Sequence, residues 1–331
     1  MTQDYLLEGL KTQDMVESCR KLVCMSLLTL KLFGSNDRMN NSKEYTKLVK
    51  SWLPEEIDSN NYIVDDSLKI VQELNKLIKS RQHFSNQDIS GESLTKITKM
   101  LTDDTGFCLI KGLNISGCNH KYLEEFLIDF GSLFGKVIPQ NSLDEKIVHV
   151  INKGQSLAKG GRYHNTSDSG SMHTDSPQYS KPPKLLGLMC IESAISGGES
   201  RLVDSISIYK KLQEEEINYL NLLNKDFKFD KRGDYKSGEK SYTLAPIFEV
   251  GKDKFTFRYL FDYINLEEED KETLDAISRL NFLLDQDKYN FRFRLEIGDI
   301  LLVNNYRLAH GRDKFQDHTS SKRLLYRLWV N

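Results

Sequence analysis

Residues 291–298, FRFRLEIG, alternate without a break: Phe291, Phe293, Leu295 and Ile297 fall on one side, Arg292, Arg294 and Glu296 on the other. Successive side chains of a β-strand point to opposite faces, so a period of two predicts a strand with one buried face. FTFRYLFDY (255–263) shows the same alternation. GFCLIKGL (106–113), KLLGLMCIES (184–193), SYTLAPIFEV (241–250), GDILLVNN (298–305) and KRLLYRLWV (322–330) are further strand candidates. One evident helix, within EEEDKETLDAISRLNFLLDQ (267–286), interrupts them. Many strands with few helices and no regular βαβ alternation argue against a parallel doubly wound sheet. The expected fold is mainly β with some α, its core a double-stranded β-helix (an antiparallel, cupin-like jelly roll) over residues 96–331.

Residues 1–95 read differently. VESCRKLVCMSLLTLKLF (16–33) and SLKIVQELNKLIKS (67–80) place apolar residues at intervals of three and four, as amphipathic helices require. The polar stretch GSNDRMNNSKEYTK (34–47) between them has loop composition. This region is expected to be a helical cover packed on the main body.

A formal net charge of -2 offers no basic footprint for nucleic acid or an anionic membrane. The most apolar early run, Leu22 to Phe33, is too short to span a bilayer and is broken by Lys31. The opening MTQDYLLEGLKTQD is too polar and acidic for a secretory signal. The five cysteines (Cys19, Cys24, Cys108, Cys118, Cys190) contain no CxxC pair, which suits neither a zinc ribbon nor a disulfide framework. They read as reduced thiols, and the expected location is the cytoplasm. The expected partner is a small molecule, and nothing in the chain speaks to its oligomeric state.

Of seven histidines, only His173, in SMHTDSP, has a carboxylate two residues on, at Asp175. Roughly one such HxD is expected by chance in a chain this acidic, so the pair alone is weak. On a strand, however, residues i and i+2 share a face and can reach one ion. His310 closes the strand-like run GDILLVNNYRLAH. Two histidines and one carboxylate on one side of a metal leave three coordination sites open, an arrangement that suits ferrous oxygen chemistry. Arg323 and Arg327 share a strand face with Leu325 and Trp329, while Leu324, Tyr326, Leu328 and Val330 make the other face apolar. Arginine enters a buried strand only with an anionic partner: a carboxylate of the chain itself, or a small dicarboxylate held by its planar fork.

HTDSPQYSKPPKLLGLMCIESAISGGESRLVDS, then GDILLVNNYRLAHGRDKF, then KRLLYRLWV together resemble the taurine dioxygenase and clavaminate synthase-like superfamily, over residues 100 to 331. The resemblance rests on an ordered set: HxD, PP, GGES, HGRxxF and the paired arginines. It implies an Fe(II)- and 2-oxoglutarate-dependent dioxygenase with His173, Asp175 and His310 as iron ligands. Arg323 matches the clamp on the distal carboxylate of 2-oxoglutarate, and Ser200 a hydroxyl residue on the same cosubstrate. Arg327 matches a position that binds an anionic substrate group, and Gln140, in FGKVIPQNS, is expected to face the substrate. The implied reaction uses O2 to hydroxylate a C–H bond of a small anionic substrate, a free amino acid or a derivative, and releases succinate and CO2. Halogenating relatives carry a small residue where Asp175 stands, so the carboxylate favours hydroxylation. Desaturation or cyclisation stays open, as does a metal-binding cupin that is not an oxygenase. Arg312, Pro182, Pro183, Gly197 and Gly198 have structural readings only.

Overall fold

The computed structural model describes residues 50–331, apart from 66, 142, 156–162, 236 and 252–253. The helix candidate at 16–33 and the polar stretch after it lie outside the described residues.

Helix α1 (Lys69–Ser80) buries Ile70, Val71, Leu74 and Ile78, the stripe its periodicity predicts. It stops at Arg81, which turns into the left-handed region (φ 56). Helix α2 (Gly91–Thr102) runs through the expected boundary at 95/96 and packs on the strands Phe107–Ile110 and Ile300–Asn304. Helices α3 (His120–Ser132), α4 (Ser205–Glu215) and α5 (Ile217–Leu223) were not expected from the sequence. Two carry the usual signal: the Asn119 side chain accepts from Tyr122 N, and Asp204 from Ile206 N, which satisfies free amides at the helix start. Helix α6 (Lys271–Asp285), capped by Asp270, is the one that was expected. The protein is therefore a mixed α and β fold with more helix than strand counting suggested.

Its largest element is a seven-stranded sheet in the order Ile63–Val64, Phe107–Ile110, Ile300–Asn304, Leu185–Glu192, Leu324–Val330 and Val137–Ile138, with Val148–Ile151 also paired to Leu324–Val330. Only the first pair is parallel. A second, antiparallel sheet holds Phe291–Phe293, Ser200–Asp204 and Leu308–Arg312. The run at 291–298 stays a strand only as far as Phe293. Asp299 N then donates to Glu296 O, Gly298 takes φ 91, and Ile297 is left 51% exposed. The run at 255–263 likewise ends its strand at Phe257 and closes a 3-10 turn at Phe261–Tyr263. Alternation shows which side chains could share a face, but a strand lasts only as long as it has a partner to pair with.

Packing follows the faces. Helices α1 to α3 cover one side of the large sheet, and Leu74, Phe126, Phe130, Leu302, Tyr326, Leu328 and Val330 belong to that cluster. A second cluster, including Phe107, Leu186, Leu202, Leu301, Leu308, Leu325 and Trp329, draws on both sheets. A third surrounds α4 to α6. Leu328 fills space that two glycines leave open: a Cβ on Gly187 would come within 2.3 Å of its Cδ2, and one on Gly131 within 2.2 Å of its Cδ1. Among the described residues no helix is long and apolar enough to cross a membrane.

Candidate metal and cosubstrate site

His310 lies inside the strand Leu308–Arg312, whereas His173 lies in no regular strand. An isolated antiparallel bridge joins the two, with His173 N donating to His310 O (3.0 Å) and His310 N to His173 O (2.8 Å). The bridge brings the imidazoles side by side, their centroids 4.5 Å apart. Asp175 is held through its backbone: its N–H donates to Asn305 Oδ1 (2.7 Å), and Asn305 Nδ2 donates to Asp175 O and Pro183 O. Ser176 follows in the left-handed region (φ 52), the sort of costly backbone that functional sites retain.

The three side chains are buried and offer ligand atoms within 4.8 Å of one another, the grouping expected from the sequence. Asp175 Oδ1 lies 3.8 Å from His173 Nε2 and 3.6 Å from His310 Nε2. His173 Nδ1 is 2.9 Å from Ser171 O, which can only accept, so the ring proton sits on Nδ1 and Nε2 keeps its lone pair. Burial first, then the neighbouring His310, pushes the His173 pKa down to about 4, so the ring is neutral at pH 7. Burial alone would raise the Asp175 carboxyl. The Arg327 guanidinium, followed by His310 and His173, outweighs burial and holds the group well below the usual carboxylate range. Two imidazole nitrogens and an ionised carboxylate form a donor set that fits a divalent iron ion.

These residues line a cavity with Ser200, Arg312, Arg323 and Arg327. Ser200 is buried and opposite Arg312 in the smaller sheet. Arg323 is 4% exposed, and its Cζ sits 5.2 Å from the centroid of the Phe315 ring. Its backbone N–H donates to Asp317 Oδ1, but among the described residues the guanidinium has no hydrogen-bonding or ion-pair partner. Burial, then Arg312 nearby, brings its pKa down to about 10. The GGES turn makes room for it: Gly198 (φ 75) stands where a Cβ would be 3.1 Å from Arg323 Nε.

Arg327 is in a different position. Its Nε donates to Gln140 Oε1 (2.8 Å), and its Nη1 lies 3.4 Å from Asp175 Oδ2. Gln140, expected to face the substrate, does not line the cavity: its Nε2 donates to Arg327 O and Lys146 O while its Oε1 holds Arg327. With both ends of the amide engaged inside the protein, Gln140 acts on Arg327. Arg312 is the brace the sequence suggested, donating to the carbonyls of Tyr163, Thr166 and Asp168.

Three residues of the site were not singled out in advance. Tyr163 and His164 line the cavity, Tyr163 edge-on to His173 at 5.2 Å, and Trp329 Nε1 donates to Asp175 Oδ2 (2.6 Å). No local motif marks the first two. Trp329 could have been found from strand parity, which puts it on the face of Arg327.

Fold and site together define an iron-dependent oxygenase. The chain belongs to the taurine catabolism dioxygenase TauD, TfdA family, whose model matches residues 71–329. It is thus an Fe(II)- and 2-oxoglutarate-dependent dioxygenase, and the likeness begins about 30 residues earlier than its motifs suggested. FR-33289 synthase of Streptomyces rubellomurinus is 25% identical over 256 residues, 73% of this chain and 74% of that protein. Human gamma-butyrobetaine dioxygenase is 27% identical over 170 residues, 48% of this chain but only 43% of that protein. Among solved structures, asparagine oxygenase in complex with Fe(II), 2S,3S-3-hydroxyasparagine and succinate superposes with a TM-score of 0.67 at 12% identity. That match covers 81% of this chain and 93% of the other.

Proposed function

We propose that the protein hydroxylates a C–H bond of a small anionic substrate, an amino acid or amino-acid derivative. In this reading His173, Asp175 and His310 hold Fe(II), and Arg323 and Ser200 hold 2-oxoglutarate. Arg327, steadied by Gln140, meets the anionic end of the substrate. Bound iron would supply O2 activation coupled to decarboxylation of 2-oxoglutarate to succinate and CO2. The chain's own part is position and exclusion of water. His173 presents its Nε2 because Ser171 O takes the Nδ1 proton. Arg327 has Nη2 left over after Gln140 and Asp175 take the rest of its fork.

The observation that carries the reading is Arg323: a guanidinium this deeply buried costs several kcal/mol without a paired counter-charge, and among the described residues no carboxylate pairs with it. A dicarboxylate reaching from the metal would supply it. The hydroxylated amino acid and succinate in the asparagine oxygenase complex support the substrate class. The cluster shared by the two sheets supports a jelly-roll arrangement, and the packing of α1 on the large sheet supports a helical cover in the described part before residue 96. The free thiols Cys108, Cys118 and Cys190 support a reducing, cytoplasmic setting.

The test is succinate release from 2-oxoglutarate with Fe(II) and O2, screened over amino acids and their derivatives. An amino-acid-type compound should stimulate release by the wild-type protein. Arg323→Ala should lose most of it at limiting 2-oxoglutarate. An unchanged KM for 2-oxoglutarate in that variant would overturn the clamp, and stimulation only by compounds of another class would overturn the substrate.

A further inference from the structure

The Asp175 carboxylate is asymmetric. Oδ1 faces both imidazole Nε2 atoms, at 3.8 and 3.6 Å. Oδ2 accepts the Trp329 indole N–H at 2.6 Å, while Arg327 Nη1 spans the two oxygens, 3.4 Å from Oδ2 and 3.5 Å from Oδ1. The indole contact is the short one, and its direction is unambiguous, because an indole N–H only donates and does not titrate in the working range. The ring itself is well held: Trp329 is 4% exposed, Tyr179 meets it edge-on at 6.3 Å, and the Arg327 guanidinium lies 5.1 Å from its centroid.

We infer that Trp329 is a positioning residue for the metal carboxylate: its N–H occupies Oδ2, so that Asp175 offers the ion Oδ1 alone. The inference rests on the reading of His173, Asp175 and His310 as the iron ligands. A carboxylate can bind a metal through one oxygen or two. Three ligands giving one atom each leave three of six positions open, enough for a chelating 2-oxo acid and O2, whereas a bidentate Asp175 would leave two. Trp329 thereby sets the number of open positions. It does so without a charge of its own, so the negative charge of the carboxylate stays available to the metal. Arg327 is the weaker brace, since its contacts are longer and divided between the two oxygens, and its fork is shared with Gln140.

The test uses Mn(II), which binds such donor sets without turnover, and Co(II), whose visible spectrum reports coordination. Trp329→Phe keeps the ring and deletes the N–H. It should weaken Mn(II) binding roughly 10- to 100-fold, as loss of partners behind metal ligands does, and should alter the Co(II) spectrum. Trp52→Phe is the matched control. Trp52 packs in the same inter-sheet cluster and donates its indole N–H to Thr105 O, remote from any candidate ligand, so its loss should leave both readouts unchanged. If Trp329→Phe does not fold, β-(3-benzothienyl)alanine incorporated at 329 in a Trp52→Phe background replaces the N–H by sulfur in a ring of the same shape, with the same expectation. Wild-type Mn(II) affinity and Co(II) spectrum in the N–H-deficient protein, while His173→Ala loses binding, would overturn the inference and leave the ligand assignment standing. If His173→Ala binds Mn(II) as wild type does, the ligand assignment itself fails and the inference falls with it.

Discussion

The strand Leu324–Val330 buries both of its faces, in quite different company. On one, Leu324, Tyr326, Leu328 and Val330 meet the helical layer, and Leu328 drops into the gap that Gly131 and Gly187 leave. On the other, Leu325, Arg327 and Trp329, with Arg323 just ahead of the strand, turn to the space between the sheets. The first face is completed by shape alone. The second is not, and its two arginines differ in how far the chain completes them. Arg327 has Asp175 and Gln140, whereas no carboxylate of the described residues pairs with the Arg323 guanidinium. A face that the protein can finish by itself contributes stability, and a buried charge it leaves open is free to bind something.

The sharpest way to break this contrast is Asp175→Ala. It removes the carboxylate at the centre of the site face and leaves Arg327 without its counter-charge. Succinate release should fall to the level of a protein-free control, while circular dichroism shows the fold retained; persistent turnover would end the metal assignment. On the opposite face, Leu328→Ala should cost about 2–5 kcal/mol in urea unfolding through the cavity it leaves. Activity per folded molecule should not change. Gly187→Ala probes the same contact by overpacking and should cost about 1–3 kcal/mol. A large loss of activity per folded molecule in either variant would mean that the two faces are not separable.

Within the site face, Arg323→Lys keeps the charge but loses the bidentate fork, so it should raise the KM for 2-oxoglutarate severalfold and leave metal affinity alone. Arg327→Ala should raise the KM for the primary substrate instead and, because Nη1 touches Asp175, weaken metal binding as well. Steady-state kinetics with Mn(II) titrations separate the two, and swapped effects would mean swapped roles. The smallest effect belongs to the outer rim of the helical layer, where exposed His83 bonds Asp129 of α3 at 2.8 Å. That bond raises the His83 pKa. Its slight stabilisation is therefore present below the unfolded histidine pKa and is lost as pH rises through the higher folded value. His83→Gln should flatten that small step in melting temperature against pH. An identical profile would show that the pair contributes nothing.

Much of the site could be read from order along the chain. HxD, GGES, HGR and the paired arginines are each short, and strand parity assigned Arg323, Arg327 and Trp329 to one face and Leu324, Tyr326, Leu328 and Val330 to the other. Parity is a property of covalent geometry, since successive side chains of an extended backbone must diverge, and no tertiary contact is needed to know it. The same rule misjudged Ile297, because the chain turns at Gly298 before the alternation runs out. It also gave no hint of α3 to α5. Partner choice was beyond its reach altogether. Trp329 and Asp175 lie 154 residues apart, Arg327 and Asp175 152, and Gln140 and Arg327 187. Which buried charge finds a counter-charge, and which is left for a ligand, depends on where two sheets set down residues that distant. Composition and period place a side chain on a face, but only the assembled sheets decide what stands opposite it.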